Sequence, residues 1–332
     1  MDSFSSPIPI KHVFKISEKE LKTKFETENQ IISEATEIND IPGIECRICL
    51  LKETDKNGEG KQIFNAFLEF LVIKNCMAIA TYFHIEIKSA KFFLYGGGFY
   101  TTEENSWGEK ICAYGDLYDP EKKFIVNGEF VIEMKGIACV TSATVFKPFN
   151  TGNCLSENLW KDDDERDFTI VVGNEKKLKT EINIHKCVLS VRSPVFQRMF
   201  KNDMKEKREG KVQVIDFNSD TVKYAVAFCY EQDIFKENLK WQQLIDLHQF
   251  ADKYDIQDLK QRTELFLVPA ISFETVCEIM NAAIMLNSQK LQDFCFQFLL
   301  ISMKEEIPIK NKEILDKNVE RKLMAKVSTF EY

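Results

Sequence analysis

Ile184-His-Lys-Cys-Val-Leu-Ser-Val-Arg-Ser-Pro-Val-Phe-Gln-Arg-Met-Phe200 is the stretch that decides the fold of the C-terminal half. Its apolar residues recur at helical spacing after His185, which predicts a helix from His185 to Phe200. Pro194 suits the first turn of a helix, where its missing N–H removes no hydrogen bond. His185 is predicted to bond locally where strand gives way to helix. The apolar residues predicted to enter the core are Val188, Leu189, Val195, Phe196 and Phe200.

Strands and helices are predicted on both sides of this stretch. Phe168–Val172 before it and Val212–Asp216 after it are rich in β-branched residues, which indicates strands. Asn218 or Ser219 is predicted to cap the helix that follows. Apolar stripes at helical spacing predict further helices, and they run over Val222–Cys229, Trp241–Tyr254, Phe273–Ile284 and Leu291–Ser302. The C-terminal half is therefore expected to be rich in helix, with a few strands.

The order of these segments resembles the BTB (POZ) domain. The match rests on Asp167–Gly173, His185-Lys186, Arg192-Ser-Pro-Val-Phe196 and Ala251-Asp-Lys-Tyr254. It implies an α/β BTB domain at residues 161–266, followed at 267–332 by helices that resemble the family's BACK or 3-box extension. It also implies a homodimer whose interface includes the first helix. Residues near that region that are more apolar than a free linker needs are Leu155, Leu159 and Trp160.

The N-terminal half has the pattern of an antiparallel β-sandwich. Several short runs of aromatic and β-branched residues are separated by turn signals, and Asn127-Gly128 is a strong hairpin signal. In Thr81–Lys88, Phe83, Ile85 and Ile87 alternate with His84, Glu86 and Lys88, which predicts a strand with one solvated face. Gly96-Gly97-Gly98 lacks the Gly-Lys-Ser/Thr ending of a phosphate loop, so a sharp turn is predicted there.

Three segments of this half resemble the MATH domain. They are His12–Ile16, Ser106-Trp-Gly-Glu-Lys110 and Asp116–Phe130, whereas Cys46 stands where the family commonly has Trp. The resemblance implies a MATH-like, TRAF-like sandwich at residues 1–145 and a linker at 146–160. Phe99 and Trp107 match family positions that line a groove for substrate peptides; the alternative is that both are core residues. Glu109 replaces a groove aromatic, so the peptide preference should differ.

Composition argues against several classes of function. The net charge is −8, and the basic stretch Lys201–Lys211 is interrupted by acidic residues, so no nucleic acid is expected as a partner. No apolar run reaches about 18 residues, so no membrane span is expected. The N-terminus lacks the pattern of a secretory signal, and the ten cysteines lack a disulfide spacing. These features indicate a cytoplasmic or nuclear protein with reduced thiols.

The residue patterns of catalytic and metal sites are missing from the sequence. The four histidines form no HExxH, and no serine occupies a GxSxG turn. Cys46 and Cys49 form the only close cysteine pair, which indicates packing because a zinc site needs four ligands. No catalytic residue, metal ligand or cofactor is therefore expected, and the chain is interpreted as a non-enzyme.

A MATH-like domain followed by a BTB domain is the architecture of the MATH–BTB family, so the chain is expected to be an α+β multidomain protein. The resemblance implies a substrate adaptor of a cullin-3 ubiquitin ligase, with cullin-3, a second copy of the chain and proteins carrying a short linear degron as partners. Met204 and Glu206 lie at the family's spacing for contact with the cullin. Alternatives are a BTB scaffold or transcriptional regulator without a ligase role, and an unrelated enzyme with a BTB-like half.

Overall fold

The computed structural model describes residues 5–38, 43–55, 60–72, 77–102, 104–142, 155–173, 179–202 and 204–330. These residues group into two compact units. The N-terminal unit contains the described residues up to 142 together with 271–281 and 289–330, and the second unit, called the BTB unit after the resemblance of its sequence, contains 155–270 together with 282–288. Within the described ranges, no helix combines the length and the apolar run that crossing a bilayer requires.

The N-terminal unit is built on antiparallel strands, which form because β-branched and aromatic residues alternate with polar ones over most of this half. The strands are β1 (Ile8–Ser17), β2 (Gln30–Ile32), β3 (Thr36–Glu37), β4 (Ile44–Thr54), β5 (Gln62–Val72), β6 (Met77–Ile87), β7 (Phe92–Tyr100), β8 (Ser106–Ala113), β9 (Ile125–Val126) and β10 (Glu129–Ser142). Helix α1 (Glu18–Thr27) follows β1 and is capped by the Ser17 hydroxyl, which accepts from the Glu20 N–H.

Two sheets form from these strands. Sheet 1 has the order β1-β10-β6-β7, with β9 also paired to β10, and sheet 2 has the order β2-β4-β5-β8, with β3 paired to β4. The main core lies between the two sheets and contains Phe64, Phe83 and Phe130, none of which has exposed side-chain area. β7 and β8 are edge strands of their sheets. The predicted β-sandwich is therefore confirmed.

The other face of sheet 1 is covered as well. Cross-strand pairing places Tyr82 opposite Ile137, and His84 opposite both Lys135 and Tyr95, so these side chains share one face. We call it the outer face; its members on β6, β10 and β7 are Ala80, Tyr82, His84, Glu86, Glu133, Lys135, Ile137, Cys139, Phe93, Tyr95 and Phe99.

Residues 271–281 and 289–330 are here called the C-terminal segment, and part of this segment contacts that face. Their helices are α9 (Val276–Met285, of which residues 282–285 belong to the BTB unit), α10 (Gln289–Lys304) and α11 (Lys317–Lys326). The ring of Phe298 on α10 packs on Tyr82 with 4.3 Å between centroids, and Phe273 packs on Tyr95 at 4.7 Å. His84 and Glu86 are consequently buried, at 1% and 3% exposure, so the prediction of a solvated face on β6 was wrong.

The glycine run also departs from its prediction. Gly96, Gly97 and Gly98 lie inside β7 rather than in a turn. A Cβ atom on Gly96 would lie 2.6 Å from two ring carbons of Trp107, and one on Gly97 would lie 2.7 Å from the Thr81 carbonyl oxygen. Gly96 and Gly97 therefore lie where neighbouring groups leave no room for a side chain. Such close approach is a known reason for glycine inside a strand.

The BTB unit surrounds a small mixed sheet. β11 (Phe168–Val172) pairs antiparallel with β12 (Thr180–Ile184) and parallel with β13 (Lys211–Val214). Helices of this unit are α2 (Leu155–Lys161), α3 (Lys186–Arg192), α4 (Pro194–Lys201), α5 (Lys205–Glu209), α6 (Ser219–Cys229), α7 (Trp241–Lys253) and α8 (Gln257–Leu267). The mixed α+β class with a helical C-terminal region is thus confirmed, while residues 146–154 of the predicted linker lie outside the described residues.

The segments that carry the BTB resemblance contact one another. Ser193 ends α3 and caps α4 by accepting from the Phe196 N–H, with Pro194 in the first turn as predicted. The Ser193 hydroxyl donates to the Tyr254 carbonyl, and the Phe196 and Tyr254 rings stack at 4.6 Å. His185 bonds to the Tyr230 hydroxyl through both its backbone N–H and its ring Nδ1, each at 2.8 Å. These residues fix the packing of the helices.

Candidate functional site

The two edge strands β7 and β8 carry the residues predicted to bind substrate. Phe99 lies opposite Ala80 on the outer face of sheet 1 and is partly exposed. Trp107 lies opposite Leu68 and turns inward, where its ring meets Phe83 edge to face at 5.5 Å. The structure therefore puts the two aromatics on adjacent edge strands but on different faces. Glu109, two residues beyond Trp107, is exposed.

Trp107 has a structural part in this edge. Its ring packs against the core between the sheets and lies directly over Gly96 of β7. Tyr100, the neighbour of Phe99, is buried in the same core and contacts Phe70 at 4.9 Å. The inward pair Trp107 and Tyr100 thus holds the edge in place, and the outward Phe99 is the aromatic that a peptide along β7 could contact.

A second surface lies on the BTB unit, where α2 meets α3. Leu155 is 74% exposed and Val191 is 85% exposed, which is unusual for aliphatic side chains on ordered helices. Both line a largely apolar cleft of about 510 Å³, together with Leu159, Cys187, Val188 and Tyr230. This face has the character of a protein interface.

Trp160, the third residue predicted for that interface, packs within its own unit. Its ring contacts Tyr230 at 5.2 Å, and its carbonyl oxygen accepts from Arg166 Nη2 at 2.8 Å. The guanidinium of Arg166 also lies 5.7 Å from the centre of the Trp160 ring. Trp160 therefore fixes the position of α2, while Leu155 and Leu159 contribute apolar surface.

A third surface surrounds Met204 and Glu206. Met204 is 43% exposed and occupies the N-cap position of α5, with its N–H donating to the Asn202 carbonyl at 2.8 Å. Glu206 lies in the first turn of α5 and is half-buried beside a polar cleft that Lys205 and Lys211 also line. An exposed thioether next to a carboxylate can fill an apolar pocket and add a hydrogen bond at its rim.

A group of buried charges was missed by the sequence analysis. The Lys135 ammonium, 4% exposed, lies 2.7 Å from Glu86, 2.9 Å from Glu305 and 3.4 Å from Glu133. Burial alone would lower the pKa of Lys135, but hydrogen bonds to Glu86 and Glu305 raise it above the usual range. One atom each of His84, Glu86 and Glu305 lie within 4.8 Å of one another, a spacing open to a metal ion, but the ammonium already supplies the positive charge there.

The signal for this cluster was present in β10. In Val131-Ile-Glu-Met-Lys-Gly-Ile-Ala-Cys-Val140 the last four residues are all apolar, whereas a strand with one wet face should alternate. The run therefore indicated a strand buried on both faces. The run could not indicate which residues cover the outer face, because Phe273, Phe298 and Glu305 lie far along the chain.

The histidines show no arrangement suited to proton transfer. His12 bonds to Thr36 and Ser33 hydroxyls at 2.8 Å each. Burial lowers the pKa of His84 to about 4, aided by the charge of Lys135, and burial likewise lowers the pKa of His248 to about 4. All four histidines are buried, and the rings of His12, His185 and His248 bond to neighbouring hydroxyls, whereas both ring nitrogens of His84 lack a partner.

Comparison with known proteins agrees with this architecture. Residues 156–271 match the BTB/POZ domain family. The chain is 30% identical over 138 residues to BTB and MATH domain-containing protein 40 of Caenorhabditis elegans, which is 41% of this chain and 34% of that protein. It is 34% identical over 149 residues to a BTB/POZ domain-containing protein of Arabidopsis thaliana, and the match covers 45% of this chain and 42% of that protein.

A mouse relative carries a similar description. TD and POZ domain-containing protein 3 of Mus musculus is 28% identical over 146 residues, covering 43% of this chain and 38% of that protein. The chain thus spans less than half the length of each of these relatives. The chain therefore contains a BTB/POZ domain that follows an antiparallel sandwich, and it is similar to relatives named for BTB and MATH domains.

Proposed function

We propose that the chain is a substrate-recruiting adaptor of a cullin-3 ubiquitin ligase. In this proposal the BTB unit pairs with a second copy and docks cullin-3, and the N-terminal unit recruits proteins that carry a short linear degron. The proposed domains are a MATH-like domain at 1–145, a linker at 146–160, a BTB domain at 161–266 and BACK-like helices at 267–332. The proposed place of action is the cytoplasm or the nucleus. The observation that carries the proposal is the exposed Met204 beside Glu206, at the spacing implied by the resemblance.

The exposed apolar face supports self-association. Leu155, Leu159 and Val191 present aliphatic surface around one cleft, and a second copy covering them removes that surface from water. Obligate homodimers typically bury roughly 2,000 Å² or more. A dimer also offers two peptide sites and two cullin docks, so substrates with repeated degrons gain avidity.

An adaptor needs no catalytic residue of its own. Holding a substrate beside a separate transfer enzyme replaces a bimolecular encounter by a high effective concentration. A substrate peptide along β7 would use Phe99 as its aromatic contact, and the exposed Glu109 favours peptides with basic or neutral residues at the facing position.

The test is titration calorimetry of the full chain with purified cullin-3 N-terminal domain. The Met204→Ala/Glu206→Ala variant should bind at least roughly tenfold more weakly, because truncating a central apolar anchor typically costs about 2 kcal/mol. Met285→Ala is the matched control, since Met285 is 64% exposed elsewhere on the BTB unit. Its affinity should equal that of the unmodified chain.

The alternative is a BTB scaffold or transcriptional regulator without a ligase role. A folded, dimeric chain that shows no heat of binding to cullin-3 would favour that alternative and contradict the adaptor role. Equal affinities for the double variant and the unmodified chain would keep the ligase role but remove Met204 and Glu206 from the dock.

A further inference from the structure

The C-terminal segment covers the same sheet face that carries Phe99. On β7, Phe93, Tyr95 and Phe99 all belong to the outer face. The ring of Phe273, in the C-terminal segment, already packs on the ring of Tyr95. Phe298 packs on Tyr82, whose partner on β7 is Gly97, the position between Tyr95 and Phe99. A peptide that follows β7 on this face therefore meets the C-terminal segment within two residues of Phe99.

We propose that the C-terminal segment is an autoinhibitory cover, which opens from the outer face of sheet 1 while the sandwich stays folded, and which competes there with substrate peptides. The peptide part of this inference rests on the proposed function. The cover itself rests on the contacts and side chains described below, so the two can be tested separately.

The chemistry of the covered face is the first reason for separate opening. A layer meant to stay buried is apolar, but here His84, Glu86 and Lys135 lie beneath the C-terminal segment. Both ring nitrogens of His84 and the hydroxyl of Tyr82 are buried without a hydrogen-bond partner. Water would satisfy these atoms once the face opens, which offsets part of the cost of exposing Ile137 and Cys139.

The arrangement of the ion pairs is the second reason. Glu305 is the member of the cluster that belongs to the C-terminal segment, and it lies 2.9 Å from Lys135. When Glu305 moves away, Lys135 retains Glu86 at 2.7 Å and Glu133 at 3.4 Å, so no charge on the sheet loses its counter-charge. Lys135–Glu305 is thus a latch that can be released without leaving an unpaired ion in the sheet.

Cys139 provides a probe of opening. Its thiol lies on the outer face and donates to the Ala80 carbonyl at 3.6 Å, and burial raises its pKa to about 12, so it is unreactive while covered. Cys46 is buried in the core between the sheets, where burial also raises the thiol pKa to about 12, and it reports unfolding of the sandwich itself. Maleimide labelling of the full native chain, resolved by mass spectrometry of peptides, measures both thiols in one sample.

Glu305→Gln should raise the labelling rate of Cys139 by roughly tenfold, because it removes a charge-assisted hydrogen bond from the closed state. The labelling rate of Cys46 should not change. Glu306→Gln removes the same charge from the adjacent, exposed residue and should leave both rates unchanged. If Cys139 and Cys46 accelerate together, or if Cys139 does not respond, the C-terminal segment is a fixed part of the fold and the inference is wrong.

Capture of a synthetic library of short random-sequence peptides by the immobilised full chain tests the competition. Glu305→Gln should capture several times more peptide than the unmodified chain, and adding Phe99→Ala should remove the gain. If the unmodified chain and Glu305→Gln capture equal amounts of peptide although Cys139 opens as expected, the claim that the C-terminal segment competes with peptides is wrong. Opening of Cys139 with no peptide captured by either form would count against the proposed function and leave the cover standing.

Discussion

The Nζ atom of Lys135 lies 2.9 Å from a carboxylate oxygen of Glu305, although 170 residues separate them in sequence. This contact joins the last long strand of the sandwich to the chain that follows α10. The BTB unit lies between the two in sequence, so the N-terminal unit is complete only when both ends of the chain are present. The stability of the N-terminal unit should accordingly depend on the ion cluster around Lys135.

Lys135→Met should lower the free energy of unfolding by about 3 kcal/mol, because Glu305 loses its buried cation and Glu86 keeps only the exposed Lys88, 3.5 Å away. Glu86 is 3% exposed and has little access to water in place of the ammonium. Chemical denaturation followed by circular dichroism measures the change. Lys88→Met is the control: Lys88 contacts Glu133 at 2.8 Å but its side chain is 63% exposed, so the loss should stay below about 1 kcal/mol. Equal losses for both variants would contradict the assigned role of burial.

His84 and His248 should make the chain less stable as the pH falls from about 6.5 to about 4. Both histidines are neutral and buried in the folded chain, with their pKa lowered to about 4, mainly by burial. The unfolded state binds more protons in this window, so the stabilisation present above pH 6.5 is lost towards pH 4. Each histidine contributes on the order of 3 kcal/mol over the window. Denaturant midpoints across this pH range should show a shallower slope for His84→Asn, and an unchanged slope would refute the assignment.

Gly96→Ala should lower the free energy of unfolding by about 1–3 kcal/mol through overpacking. The added Cβ would lie 2.6 Å from Trp107 ring carbons and 2.9 Å from the Phe83 ring. Trp107→Leu in the same chain should recover part of the loss, because it removes the ring that the Cβ meets. Gly115→Ala is the control, since a Cβ there has no atom within 4 Å. Strictly additive losses in the Gly96–Trp107 pair would show that the two residues do not contact as described.

If the chain forms the proposed dimer, Leu155→Asp with Val191→Asp should convert it to a monomer at micromolar concentration in analytical ultracentrifugation. Two charges would enter the apolar cleft and lose hydration in the interface. The fold should survive, because both side chains are mostly exposed in the single chain. Ile215→Asp is the matched control, since Ile215 is 64% exposed elsewhere on the BTB unit. A monomeric unmodified chain, or a double variant that remains dimeric, would place the interface elsewhere.

Local signals in the sequence predicted the local structure well. Asn127 and Gly128 have φ angles of 52° and 76°, as the hairpin between β9 and β10 requires. Asn218 caps α6 by accepting from the Thr221 N–H, and Pro194 opens α4. In each case the cause lies within a few residues of the effect, so one stretch of sequence contains the information.

Features with distant causes were not predictable in this way. Alternation in β6 placed His84 and Glu86 on one face correctly, but it could not show that residues of α10 cover that face. The glycines of β7 were interpreted as a turn because the groups that approach them belong to other strands: the Trp107 ring of β8 at Gly96 and the Thr81 carbonyl of β6 at Gly97. The packing of Trp160 on Tyr230 likewise depends on the distant end of α6, while its place at an interface stays a prediction. Such contacts are set by the tertiary fold.

The long stretch of sequence between β10 and α10 affects biosynthesis. A ribosome adds roughly 5–20 residues per second, so β10 waits on the order of ten seconds or more before α10 emerges. During that interval the nascent sandwich carries a bare sheet surface on which Tyr82 and Ile137 are open to other chains. His84, Glu86 and Lys135 bind water on the same surface. We expect these polar side chains to prevent aggregation of the ribosome-bound intermediate until the C-terminal segment emerges and covers the surface.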